Sequence, residues 1–179
     1  MSTDTDQKAE DRASAQDLAL KDIEGSVILI QGVFKPAVFN LLPKGNGNEV
    51  FVMEGRPSLE SANTTCQELL GRKIRPTLIA DNMAGFLFYK RLVKEVWLSY
   101  QMADEQGALC QIGGLILGVL GKRHHVPVKL YPSSEESKLM GKQRDIFYFQ
   151  GVKVAPANIK GYVPLMEWLP REYITEIHA

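Results

Sequence analysis

Apolar residues in this chain fall into short unbroken runs set between longer mixed stretches. Val27-Ile-Leu-Ile30, Val50-Phe-Val-Met53, Thr77-Leu-Ile-Ala80, Val96-Trp-Leu-Ser99 and Val126-Pro-Val-Lys-Leu-Tyr131 have the length of strands, not of helices. Gly25 and Gln31-Gly32 bound the first, and Lys44-Gly-Asn-Gly-Asn48 is a turn signal ahead of the second. Runs without polar alternation mark strands covered on both faces. The stretches between them have helical character. Ser58–Leu70 opens on a capping Ser and stops at Gly71, and Asn82–Val93 carries Met83, Phe86, Leu87 and Phe88 behind a capping Asn82. Ala108–Leu120 is apolar and small, with Gly113, Gly114 and Gly118. Each such glycine costs about 1 kcal/mol of helix propensity against Ala, which makes sense where another backbone or a ligand comes close. Strands alternating with helices predict an α/β fold: three Rossmann-like layers, with a mainly parallel sheet covered by helices on both faces.

The regularity fades after Tyr131. Ser133–Arg144 reads as an exposed loop, and Ile146–Tyr148 with Val152–Val154 as an edge hairpin around Phe149-Gln-Gly151. Trp168–Ile177 reads as a short closing helix with Pro170 in its first turn. Met1 to about Asp22 is polar and free of aromatic residues, so the chain divides into a mobile arm over 1–25 and one domain over 26–179. A short helix at Ala13–Leu20 fits within that arm.

Composition narrows the function classes. The 179 residues are 45% hydrophobic and 23% charged, with 21 basic against 21 acidic side chains. That neutral balance gives no strong nucleic-acid signal and no attraction to anionic membranes. The basic cluster Lys122-Arg123-His124-His125 reads as a solvated helix end. No apolar run reaches the roughly 20 residues of a membrane span, and the start Met-Ser-Thr-Asp lacks the basic-then-apolar order of a secretory signal. A cytoplasmic protein is expected. Cys66 and Cys110 form no CxxC pair, and His124-His125 lack a third ligand, so free thiols and no metal are expected. Gln31-Gly-Val-Phe-Lys35 after the first strand is not a G-x-G-x-x-G loop, so no dinucleotide cofactor is expected either.

Candidate chemistry concentrates where strands run into helices, as at Pro76-Thr-Leu-Ile-Ala-Asp81-Asn-Met-Ala-Gly85. The carboxyl ends of the strands would gather Gln31, Glu54, Arg56, Asp81, Asn82, Tyr100, Gln101 and Gln111 along one crevice. Arg56 either grips a phosphate or carboxylate or pairs with Glu54 or Asp81. Asp81 and Asn82 either touch a ligand or cap the following helix. A helix starting near Ala108 would present free N–H groups to an anion. Cys110 at that helix start is either an activated thiol or a buried inert one.

Several landmarks resemble one known domain. Val50-Phe-Val-Met-Glu-Gly-Arg-Pro57, Thr77–Gly85, Gln111-Ile-Gly113 and Pro170-Arg-Glu-Tyr-Ile174 follow in the order and spacing of the C-terminal Rossmann-like domain of methylthioribose-1-phosphate isomerase. Ribose-1,5-bisphosphate isomerase and the alpha, beta and delta regulatory subunits of translation initiation factor two-B share that domain. The resemblance covers about Ser26 to Ala179; the family's N-terminal helical domain has no counterpart in the short polar arm. The resemblance places the isomerases' catalytic Cys at Gly32 and their catalytic Asp, from a Gly-Ala-Asp-Arg motif, at Gln101 within Ser99-Tyr-Gln-Met102. Their Asn-Gly-Asp turn becomes Gln106-Gly-Ala108, their phosphate-contacting Asn-Lys pair becomes Cys110-Gln111, and a Gln after Arg-Pro becomes Glu60. Aldose–ketose isomerisation needs a group that accepts and returns a proton, worth about 10²–10⁴-fold in rate. Gly and Gln cannot supply one. The resemblance therefore implies a noncatalytic binding or assembly protein, a homodimer with a crevice for a small phosphorylated ligand or a surface for a protein partner. Two alternatives stay open: a sugar-phosphate isomerase with a rebuilt site, and a translation-related regulatory subunit.

Overall fold

The computed structural model describes residues 23–43, 47–134, 136 and 138–179. Residues 1–22 of the arm expected over 1–25, its short helix and part of the Lys44–Asn48 turn lie outside these residues. The apolar runs form strands as expected: β1 (Val27–Gln31), β2 (Glu49–Met53), β3 (Thr77–Ile79), β4 (Val93–Asp104) and, two residues later than its apolar start, β6 (Val128–Pro132). Between β4 and β6 come β5 (Gly107–Gln111) and helix α3 (Gly114–His124). Helices α1 (Cys66–Gly71) and α2 (Ala84–Tyr89) precede them, and α4 (Gln143–Phe147), β7 (Tyr148–Phe149), β8 (Val152–Lys153), β9 (Met166–Pro170) and β10 (Glu176–Ile177) follow.

Parallel pairing runs β10-β6-β4-β1-β2-β3 across the main sheet. Taken by chain order, the parallel strands therefore lie third, second, first, fourth, fifth, sixth, the doubly wound arrangement. Alternation along β1 explains the layers. Val27 and Leu29 point into one core with Val96, Leu98, Val128 and Leu130, capped by Leu87 and Phe88 of α2 and Leu117 of α3. Ile28 and Ile30 point into the other, with Trp97, Val52 and Tyr131, under Phe34, Phe39 and Leu69. Burying one such side chain contributes about 1.5–3 kcal/mol.

The C-terminal part departs from the sequence expectation. β4 does not stop at Ser99; it continues to Asp104 and turns back as β5, which pairs antiparallel with it. The segment expected to begin a helix at Ala108 is this strand, and α3 starts only at Gly114. Trp168–Pro170, expected as a closing helix, lies in β9 and pairs antiparallel with β5, followed by a 3₁₀ turn at Arg171–Tyr173. Pro170 is tolerated because, among the described residues, β9 has a partner on one side only and Pro sits at its end. The glycines of α3 serve this packing. A Cβ on Gly118 would lie 2.7 Å from Leu169 Cδ1 and 2.9 Å from Tyr173 Cβ, and one on Gly121 2.5 Å from Val128 Cγ2.

Two other helices are shorter than expected. Ser58–Leu70 contains a turn through Leu59 (φ 62), a π-helical turn at Ser61–Thr65, and then α1. Asn82–Val93 is a 3₁₀ turn at Asp81–Met83 and α2, which stops because Arg91 turns left-handed (φ 57) to start β4. The hairpin around Gln150-Gly151 forms, but as a separate two-stranded sheet rather than an edge of the main one.

Candidate functional site

β1 and β4 lie side by side, yet the chain leaves them for opposite halves of the sheet, β1 toward β2 and β4 toward β6. Ligands of open α/β sheets bind outside the carboxyl ends of such a strand pair. Gly32 forms the floor here. Its φ is 110, and a Cβ on it would lie 1.9 Å from Ser99 Oγ of β4. Position 32 thus presents backbone only. Its N–H donates to Ser61 Oγ at 2.7 Å, and its carbonyl accepts from Thr65 Oγ1 at 2.7 Å. Ser61 and Thr65 stand one turn apart on the π-helical turn, both buried.

Ser61 extends the network by donating to Gln111 Oε1 at 3.1 Å. Gln31, 2% exposed, donates from Nε2 to the Ile112 carbonyl at 2.6 Å, while its Oε1 is buried with no partner among the described residues. Gly113 leaves room for this amide, since a Cβ there would lie 2.6 Å from Nε2. Hydroxyls, amides and backbone therefore line the switch point.

Asp81 does not serve as the expected cap: among the described residues, no side-chain bond caps the turn or helix that follows it. Its carboxylate reaches back to the preceding βα joint, where Oδ1 accepts from Gly55 N–H at 2.9 Å and Oδ2 from Arg56 N–H at 2.7 Å. It thereby fixes the turn containing the cis Arg56–Pro57 bond. Arg56 pairs with neither Glu54 nor Asp81 among the described residues; its guanidinium lies 4.5 Å above the Phe149 ring of the hairpin. Beyond it opens a hollow of about 810 Å³ lined by Pro57, Ser58, Arg144, Asp145, Tyr148, Gln150 and Gly151.

The anion position expected at the helix after β5 is filled from within. Glu167 of β9 accepts from Gly113 N–H at 2.7 Å and Leu115 N–H at 2.8 Å through Oε1. The helix dipole is thus met by the protein's own carboxylate. Cys110 is not at a helix start but in β5, fully buried, with a thiol pushed up to about 12 by burial and, secondarily, by the Glu167 charge. Such a thiol is no nucleophile near neutral pH. Burial raises the Cys66 thiol as well.

The structure thus joins Gln31, Gly32, Gln111, Arg56 and Asp81 through shared neighbours. Glu54 stays at the same joint through its backbone, donating to Ile79 O at 2.9 Å. Asn82 is exposed, and Gln101 sits at a bulge where β4 has already turned toward β5. Tyr100 donates its hydroxyl to the His178 carbonyl at 2.7 Å, tying β4 to the C-terminal segment. Sequence reasoning missed Ser61, Thr65, Phe149 and Glu167. The spacing Ser61-x-x-x-Thr65, one helical turn, was the only local signal among them.

Comparison with known proteins agrees with this architecture. Residues 3–178 match the Initiation factor 2 subunit family. Methylthioribose-1-phosphate isomerases of Thermus thermophilus and Syntrophus aciditrophicus are 30% and 31% identical over 145 residues, which is 74% of this chain and 44% and 40% of theirs. The solved structure of translation initiation factor eIF-2B, subunit delta, from A. fulgidus matches with a TM-score of 0.74 at 22% identity, covering 86% of this chain and 52% of that one. That of 5-methylthioribose 1-phosphate isomerase from Pyrococcus horikoshii OT3 matches at 0.71 with 19% identity, over 88% and 51%. At these identities the structural likeness speaks for the fold. The chain spans about half the length of these proteins or less. The match over nearly its whole length shows that the chain belongs to the Initiation factor 2 subunit family.

Proposed function

We propose that this chain is a noncatalytic binding or assembly protein whose switch-point crevice accepts a small phosphorylated ligand. The carrying observation is the closed chain of bonds from Thr65 and Ser61 through Gly32 to Gln111. None of these groups titrates near neutral pH, so they position a ligand without moving a proton. Gln31 Oε1, a buried acceptor awaiting a donor, suits a hydroxyl-bearing ligand, since leaving it unmet costs about 1–3 kcal/mol. Arg56 adds positive charge at the mouth once it leaves the Phe149 face.

A homodimer in the cytoplasm accompanies this reading. The exposed apolar side chains of Met83, Phe86 and Tyr89 on and beside α2 support such an interface. The decisive experiment is a turnover assay with methylthioribose 1-phosphate and ribose 1,5-bisphosphate, run beside a thermal-shift measurement with the same compounds. Stabilisation without product supports the reading. Product formation above buffer sinks it.

The names of the relatives near 30% identity favour one second reading, a sugar-phosphate isomerase with a rebuilt site. Glu54 or Asp81 is then its base, Cys110 being too deeply buried to act. If it is Asp81, Asp81→Asn abolishes turnover, with some loss of stability because its carboxylate also holds the Gly55 and Arg56 N–H groups.

A further inference from the structure

Gly32 is bare at the floor of the crevice, but the space that a side chain there would fill is taken. In the pairing of β1 with β4, Gln31 stands beside Leu98, so the residues that follow, Gly32 and Ser99, come opposite each other. A Cβ on Gly32 would lie 1.9 Å from Ser99 Oγ and 2.7 Å from Ser99 Cβ. The hydroxyl of Ser99 therefore stands where the side chain of residue 32 would begin.

Its bonding is unlike that of the hydroxyls around it. Alternation along β4 puts Ser99 on the face of Trp97, which is 1% exposed in the second core. Ser99 is 5% exposed, at the point where that core gives way to the crevice. Buried hydroxyls are normally hydrogen-bonded. Ser61 and Thr65 hold the N–H and carbonyl of Gly32, and Ser133 donates to the Val33 carbonyl at 3.0 Å. Ser99 Oγ has no partner among the described residues, and it is not sealed from solvent as Gln31 Oε1 is. Packing does not account for the oxygen. Alanine would fill nearly the same space without leaving a hydroxyl unmet.

Ser99 and Gln31 flank Gly32 from opposite faces of the sheet, Ser99 on the side of Trp97 and Gln31 on the side of Leu29. The Gly32 backbone is already bonded at both ends, so the polar atoms left open beside it are Ser99 Oγ and Gln31 Oε1. We propose that Ser99 is a ligand-contacting residue of the crevice. Its hydroxyl reaches the floor from β4, in place of a side chain at position 32, and donates to an oxygen of the organic part of the bound compound. This rests on the reading of the crevice as a site for a small phosphorylated ligand.

The test pairs two variants of the full chain. Ser99→Ala keeps the shape and removes the oxygen, so the melting temperature of the free protein holds or rises. Titration calorimetry with methylthioribose 1-phosphate and ribose 1,5-bisphosphate then shows about fivefold or more weaker binding of whichever compound the parent takes. Ser99→Cys puts a thiol at the same point. Iodoacetamide, read by peptide mass spectrometry, labels position 99 faster than the fully buried Cys110, and the bound compound slows that labelling. Unchanged affinity in Ser99→Ala overturns the proposal. So does a melting temperature several degrees lower, which would make the hydroxyl a structural one. If neither compound binds the parent, the phosphorylated-ligand reading fails on its own, and labelling decides the place of Ser99. Labelling at position 99 as slow as at Cys110 overturns it, and faster labelling supports it.

Discussion

The parallel half of the sheet and its antiparallel flank are built on different principles. β1 is buried along its whole length and has a parallel neighbour on each side. Its apolar run suffices to place it, because any strand clothed on both faces must be apolar throughout. β5 and β9 have the same five-residue length as β1 but are mixed in burial, and among the described residues β9 has a partner on one side only. Gly107 is pressed against the Leu169 carbonyl, with a hypothetical Cβ 2.1 Å away. Local preference did not decide that flank. Close contact with a distant strand did.

The strongest way to break this comparison is at Gly32. Gly32→Ala puts a side chain on a left-handed backbone and against Ser99, and it is expected to cost about 3 kcal/mol or more, read by urea denaturation. A loss below about 1 kcal/mol would mean that the switch point relaxes freely. Adding Ser99→Ala should recover part of the loss, since Oγ is the nearest atom.

On the flank, Gly107→Ala is expected to cost about 2–3 kcal/mol. It should also shift the fluorescence of Trp168, whose Nε1 would lie 2.8 Å from the new Cβ. Gly118→Ala sharpens the contrast through its sign. In an exposed helix it would stabilise by about 1 kcal/mol, but against Leu169 and Tyr173 a net loss of about 1–2 kcal/mol is expected in thermal unfolding.

A last contrast, confined to alkaline solution, is the pH response of Cys110, whose thiol burial pushes up to about 12 from 9.0 ordinarily. Between those values the folded state holds a proton that the unfolded state releases. Its contribution is therefore complete below pH 9 and is lost as pH rises toward 12. A Cys110→Ala chain should lose less stability over that window than the parent. Matching pH curves for the two would refute the shift.

The legibility of the site follows the same division. The positions of Arg56, Asp81 and Gln111 at strand ends could be read from the sequence, and strand ends are where an open sheet places ligands. Their partners could not. Asp81 next to a helix start looks like a cap, yet its carboxylate satisfies two backbone donors 25 and 26 residues earlier in the chain. The small residues after Ala108 look like helix, but Gly107–Gln111 finds strand partners on both sides. Arg56 looks in need of a carboxylate, and an aromatic face from the hairpin meets it instead.

What the amino-acid sequence determined by itself was the α/β class, the five apolar strands of the parallel core and the family resemblance. Those depend on runs and spacings that any window of the chain displays. Tertiary structure alone decided that β4 runs on into a hairpin, that Pro170 ends a strand, and that Glu167 rather than a ligand meets the N-terminus of α3. The physical reason is common to all three. A backbone N–H or an exposed strand edge takes whichever acceptor the folded chain brings within about 3 Å, whatever its distance along the sequence.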